Sequence, residues 1–209
     1  LFSGSVILRH LPDYVCLRAL APLLMSRRRD TRDDRLLLRI TETYLQRGIQ
    51  VCPATDFAPE LLVKHGIIAG RPLSHSQKKD VEFGWNLAAE MGRLDVGQTV
   101  CVKGRAVLAV EAVEGTDECI ARAGQLCPPG RFTVVKIAKP QQDMRFDVPT
   151  IGLGTLEKMR ASGGQVLAVE ADKTIFIDQE EVQRAANRYG ITIVATTLSE
   201  LLLTKAQAA

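Results

Sequence analysis

Apolar residues in this chain change period repeatedly, from the 3.6-residue spacing of a helix to the short unbroken runs of buried strands. Leu37, Ile40, Tyr44 and Leu45 fall at helical spacing, with Asp33 or Asp34 placed to cap the start and Gly48 just past the end. Residues 49–52 read as a strand, and Asp56 opens a short helix through Val63. Residues 64–72, carrying Gly66, Gly70 and Pro72, read as a linker. Ser74 and Gln77 form a capping box for a long helix whose buried stripe is Val81, Trp85, Ala88 and Ala89, and Gly92 stops it.

The pattern then tightens. Residues 99–102 and 106–111 are two strands joined by the turn Lys103-Gly104-Arg105. A helix over 117–126 starts at Thr116 or Asp117 as its cap, and the β-branched run 132–138 is a buried strand. A polar loop covers 139–149, followed by a helix to Ala161 that Gly163 and Gly164 end. Residues 165–169 and 174–177 are strands, Asp178 with Glu181 caps another helix closed by Gly190, and 191–195 is a last strand. Ahead of Asp33 the signal is poor: a short strand at 6–8 and a broken helix at 13–25. Arg27, Arg28, Arg29, Arg32 and Arg35 there make either a solvated connector or a patch for anionic headgroups. Residues 199–209 are a tail of loosely helical character. The alternation of helix and strand predicts an α/β protein.

Composition narrows the function classes. Of 209 residues, 46% are hydrophobic and 24% charged, which excludes wholesale disorder. A net charge of +3 and an aromatic content of 5% argue against nucleic acid as the partner. Five cysteines, Cys16, Cys52, Cys101, Cys119 and Cys127, are odd in number with no C-x-x-C pair. That speaks against a disulfide framework or structural zinc and for a reducing cytoplasm. His10, His65 and His75 form no ligand motif, so a metal here is a hard cation on carboxylates. No apolar run approaches the roughly 20 residues of a membrane span. The chain opens on Leu rather than Met, and an upstream start is expected.

Two segments carry polar residues that folding alone does not require. Glu111, Glu114, Gly115, Thr116 and Asp117 sit where a strand end runs into a helix N-terminus, a place where backbone N–H groups attract anions. The carboxylates there could help hold Mg²⁺; equally, Thr116 and Asp117 could simply cap the helix and Glu111 face solvent. The second segment, 136–152, emerges at the carboxyl end of the apolar strand, where α/β folds place ligands. Lys136, Lys139 and Arg145 meet Asp143 and Asp147 within a dozen positions. Cations neutralising phosphoryl charge beside a carboxylate that holds metal or orients water are what a pyrophosphate hydrolase needs. The alternative is a surface loop with incidental ion pairs. Lys136 inside an apolar strand requires a carboxylate or a ligand phosphate to offset its burial.

The stretch Glu-x-x-Glu-Gly-Thr-Asp at 111–117 and Lys-x-x-Lys-Pro-x-Gln-Asp-x-Arg-x-Asp-x-Pro-Thr-Ile-Gly at 136–152 resemble the I-type UDP-2,3-diacylglucosamine pyrophosphatases of lipid A biosynthesis. Residues 94–98, 107–111 and 173–178 are similar to them as well. The resemblance implies two mixed α/β domains, the N-terminal one incomplete. Residues 1–70 would be a Rossmann-like remnant plus linker, 71–198 the catalytic domain, and 199–209 a tail. It implies hydrolysis of UDP-2,3-diacylglucosamine to UMP and 2,3-diacylglucosamine 1-phosphate in the cytoplasm of a Gram-negative bacterium. Mg²⁺ or Mn²⁺ is the expected cofactor, with water attacking the sugar-side phosphorus. Asp147 matches the family's catalytic aspartate, as metal ligand or water-orienting group, with Lys136 and Arg145 beside it. Lys139, Gln142, Gly115, Thr116, Thr150 and Gly152 are the expected substrate contacts; Asp147, Glu114 and Asp117 are the expected metal ligands. The amphipathic substrate suggests peripheral contact with the inner membrane, and the missing opening strands suggest a homo-oligomer. Ile67, Ile68, Leu87 and Met91 are candidates for an acyl groove or for plain core. A non-catalytic nucleotide-sugar or lipid-phosphate binding module is the alternative.

Overall fold

The computed structural model describes residue 14 and residues 33–200. The expectations for residues 6–8, for 13–25 beyond Tyr14, for Arg27, Arg28, Arg29, Arg32 and the side chain of Arg35, and for the tail past residue 200 lie outside the described residues. The chain divides into two compact units, residues 1–53 and 54–209.

In the first unit, α1 (Asp33–Leu45) runs through the predicted apolar spacing and ends in a turn at Gly48, whose φ is +74°. Thr41 and Thr43 return their hydroxyls to the carbonyls of Leu37 and Arg39, so their polar groups are satisfied within the helix. Residues 49–52 form no strand: none of them is hydrogen-bonded into a ladder among the described residues.

The second unit is built on a six-stranded sheet of order β1-β8-β6-β4-β2-β3. Its strands are β1 (Gly66–Ala69), β2 (Thr99–Lys103), β3 (Ala106–Val110), β4 (Phe132–Lys136), β6 (Gly164–Glu170) and β8 (Thr192–Thr196). The central three, β4, β6 and β8, are parallel; β1 and the β2–β3 hairpin run antiparallel at the two edges. The segment expected as a linker therefore supplies an edge strand, because Gly66–Ala69 finds ladder partners on β8. A short second sheet pairs β5 (Thr150–Ile151) with β7 (Ile175–Phe176) in parallel. The helix expected from Asp56 is instead two single 3-10 turns, Ala54–Asp56 and Pro59–Leu61. Pro59 disfavours helical backbone at the residue before it, and Ala58 sits at φ −139° and ψ 61°, which breaks the helix there.

Each face of the sheet has its own apolar layer. On one, α2 (His75–Arg93) lays Val81, Trp85 and Ala88 against Val100, Val102, Val135 and Ala168. The predicted Ser74–Gln77 capping box is formed in both directions. On the other face lie α3 (Thr116–Leu126), α4 (Leu153–Ser162) and α5 (Gln179–Tyr189), burying Ile120, Leu156, Met159 and Val182 with Phe132, Val134 and Leu167. With both faces covered, β4 is buried at every position, which explains its continuous β-branched run. The mixed α/β architecture expected from the sequence is thus present.

Two caps differ from expectation. Asp178 precedes α5 in the left-handed region at φ +50° and makes no side-chain cap, since capping geometry needs extended backbone at that residue. α3 is preceded by Gly115 at φ +84°, and neither Thr116 nor Asp117 caps it.

Candidate active site

Alternation along β4 sends Phe132, Val134 and Lys136 to the face covered by α3 and α4, so the last residue inside the apolar layer is a lysine. Lys136 is 8% exposed. Its Nζ donates to the carbonyl of Thr150 at 3.2 Å, and no carboxylate lies at ion-pair distance among the described residues. Burial pushes its pKa below that of an ordinary lysine, while the negative charges of Glu111, Asp117 and Asp147 pull the other way. Carboxylates from both sequence segments therefore act on one buried ammonium.

The strand beside β4 fixes the first segment. Thr99 opens β2 opposite Lys136, and its carbonyl accepts from Glu111 N at 2.8 Å. Glu111, expected as an exposed strand residue or a ligand, is 8% exposed. Its Oε1 accepts the Thr116 hydroxyl at 3.0 Å and its Oε2 the Gln98 N–H at 3.4 Å. With the Thr116 proton committed to Glu111, the Thr99 hydroxyl donates to Thr116 Oγ1 at 3.3 Å. Thr116 thus spends its side chain on Glu111 rather than on its own helix. The first-turn N–H groups of α3 are left without a side-chain cap, a state suited to an anion. The space in front of Gly115 is open, and its positive φ is what calls for glycine. Gly97 has a different reason: a Cβ there would stand 2.1 Å from the Glu111 carbonyl oxygen, so only glycine lets Glu111 sit where it does.

The loop after β4 is closed by a single side chain. Gln142 Oε1 accepts from Lys139 N at 2.7 Å and Gln142 Nε2 donates to Asp147 Oδ2 at 2.6 Å. Asp147 is half-buried, and its Oδ1 has no partner among the described residues. Gln142, read as a substrate contact, here holds the aspartate. Lys139, also read as a substrate contact, pairs with Asp95 at 2.9 Å. Arg145 grips Asp143 with Nε and Nη2 at 2.8 and 2.6 Å and lies 5.2 Å from the Phe146 ring centroid. That guanidinium bond holds the Asp143 carboxyl below the usual range. Glu114 is turned to Arg122 and to Ala112 N, while Asp117 is exposed with no side-chain partner among the described residues. Thr150 contributes its carbonyl rather than its hydroxyl, which bonds Val148 O. Gly152 precedes α4 in extended backbone with open space before it.

A family model described as the LpxI C-terminal domain matches residues 64–194, the span that contains every residue of this cluster. The UDP-2,3-diacylglucosamine pyrophosphatase LpxI of Caulobacter vibrioides is 30% identical over 197 residues, covering 91% of this chain and 70% of that protein. The chain belongs to the LpxI family.

Within that family the geometry explains residues that sequence reasoning passed over. Glu170, at the carboxyl end of β6, accepts the Ala138 N–H at 3.0 Å and so anchors the start of the loop. Thr99 and Gln98 position Glu111. The sequence signal of Glu170 and Thr99 is a polar residue at the end of an apolar strand, and Gln98 closes the 94–98 stretch that resembles the family. Among the described residues no three His, Cys, Asp or Glu side chains are grouped to hold a metal ion by themselves. Mg²⁺ usually takes one or two carboxylates and completes its shell with water and phosphate oxygens. The unpartnered Oδ1 of Asp147 and the exposed carboxylate of Asp117 are donors of that kind, so the residues fit such a cation. No helix among the described residues is long and apolar enough to cross a membrane.

Proposed function

We propose that this chain hydrolyses the pyrophosphate bond of UDP-2,3-diacylglucosamine, giving UMP and 2,3-diacylglucosamine 1-phosphate for lipid A biosynthesis. Its family and its relative support the reaction class, a pyrophosphatase acting on a UDP-sugar. The observation that carries the reading is the buried Lys136, which shares its surroundings with Glu111, Asp117 and Asp147 beside the uncapped start of α3. A pure phosphate binder gains nothing from three carboxylates near its anion. A hydrolase uses them to hold a cation and a water while an ammonium and helix N–H groups take up phosphoryl charge.

Asp147 and Asp117 would hold Mg²⁺ or Mn²⁺, and such a cation, when bound, would supply charge neutralisation for the phosphate oxygens. Lys136 donates to a phosphoryl oxygen once substrate offers it a better acceptor than the Thr150 carbonyl. Gln142 keeps Asp147 oriented, and the Lys139–Asp95 pair ties the loop to the residues just past α2. The substrate is made of a nucleotide and two acyl chains, so the enzyme works on the cytoplasmic side at the surface of the inner membrane, and a homo-oligomer is compatible with that work. The reading is tested by following UMP release from UDP-2,3-diacylglucosamine with Mg²⁺, after chelation, and after Mg²⁺ is restored. Turnover that stops and returns supports it. Substrate binding without turnover under any divalent cation would sink it and leave a binding module.

A further inference from the structure

The parallel strands have a second end. β4, β6 and β8 enter the sheet at Phe132, Gly164 and Thr192, about 13 Å along β4 from Lys136 at strand rise. There the chain forms a cleft of about 580 Å³, within the size range of small-molecule sites, lined by Arg71, Arg131, Gln77, Gln165, Asn187 and Thr192 among others. Among the described residues no carboxylate lines it.

The two arginines are placed there by specific contacts. Arg131 sits in the left-handed region at φ +61°, strained for a side-chain-bearing residue, and its N–H is held by the Gly163 carbonyl at 2.6 Å. Its Nε and the Gln77 amide nitrogen both reach Gln165 Oε1 at 3.5 Å. Gln77 is fixed in turn by the backbone of Ser74 at 2.9 Å. Arg71 is tied through its backbone N–H to the Thr192 hydroxyl at 3.3 Å. Neither guanidinium has an ion-pair partner among the described residues. Two like charges brought to one concavity repel unless an anion lies between them, and guanidinium forks match the oxygens of a phosphate.

We propose that this cleft is a second anion site, at the opposite end of the sheet from the Lys136 cluster, which takes a small phosphate-bearing molecule. Arg71 and Arg131 clamp the phosphate, and the amides of Gln77 and Gln165 add donors at the floor. The site is independent of the pyrophosphatase reading.

Inorganic pyrophosphate, without divalent cation, is titrated into the isotopically labelled protein and into the Arg71→Gln, Arg131→Gln double variant, following backbone amide signals. The expected result is a saturable shift at Gln165 and Thr192, with affinity lower by about tenfold or more in the double variant. Its melting temperature and its UMP release should stay unchanged. Shifts at Lys139 and Thr150 report binding at the other end and are scored separately. Absence of a saturable shift at Gln165 and Thr192, or equal affinity in the variant, would overturn the proposal. Pelleting with phosphatidylglycerol vesicles, but not phosphatidylcholine ones, that the double variant loses assigns the phosphate to a lipid headgroup. Pyrophosphate binding with no pelleting assigns it to a soluble compound.

Discussion

Gln142 donates its side-chain amide to Asp147 Oδ2 at 2.6 Å while its carbonyl accepts from Lys139 N at 2.7 Å, so one side chain both closes the loop and aims the carboxylate. An aspartate on a loop otherwise samples several rotamers. Here one oxygen is pinned and the other is left for chemistry. Gln142→Ala should lower kcat by roughly tenfold to a hundredfold, the usual effect of losing a group that orients a ligand, with a smaller change in KM. Gln142→Glu should be worse, because it sets a second carboxylate against Asp147. Steady-state kinetics with a parallel thermal melt separates this from unfolding.

Lys136 gives the pH dependence. Burial lowers its pKa, so the ammonium loses its proton at a lower pH than an exposed lysine would. If phosphoryl transfer needs that charge, kcat/KM should fall on the alkaline side below the ordinary lysine range, and Lys136→Met should remove the limb along with most of the activity. The stability change has the opposite direction. Between the lowered folded pKa and the ordinary unfolded value the unfolded chain binds more protons, so the burial cost of this lysine is relieved as pH rises through that window. Lys136→Met should therefore leave the melting temperature unchanged or raise it. A destabilised Met variant would contradict this.

Gly97 holds Glu111 in place by having no side chain. Gly97→Ala puts a methyl group 2.1 Å from the Glu111 carbonyl oxygen, and the backbone on one side must move. The expected cost is about 1–3 kcal/mol in denaturant unfolding, together with lost activity, because Glu111 carries the Thr116 contact. A fully active Gly97→Ala protein would show that Glu111 does not matter.

Asp80 is a purely structural counterpart. It is 5% exposed on α2, and its two oxygens accept the N–H groups of Gly104 and Arg105 at 3.0 and 2.7 Å, binding the β2–β3 turn to the helix. Asp80→Ala removes two charge-assisted bonds and should cost roughly 2–4 kcal/mol, lowering the melting temperature while kcat of the folded protein stays the same.

The layers of the fold were legible because burial writes itself as period: Val81, Trp85 and Ala88 at helical spacing, and residues 132–135 as a β-branched and aromatic run. The edge strand at Gly66–Ala69 was not, since three apolar residues between Gly66 and Gly70 look like part of a linker until β8 supplies the ladder. The residues of the site were legible as types at strand ends, and Lys136 stood out because an apolar strand has no use for an ammonium. Their division of labour was hidden. Whether Thr116 bonds its own helix or Glu111, and whether Gln142 meets a ligand or Asp147, depends on what lies across the sheet, and sequence spacing carries no signal for that.

The most direct test of the account is kcat and KM for UMP release from UDP-2,3-diacylglucosamine by the Asp147→Asn protein with Mg²⁺. Asparagine keeps the shape and the Gln142 contact but removes the charge. The account predicts kcat lower by on the order of a thousandfold with KM within a few-fold of the parent. Near-parental turnover by Asp147→Asn would contradict it and move the chemistry away from the Lys136–Asp147 cluster.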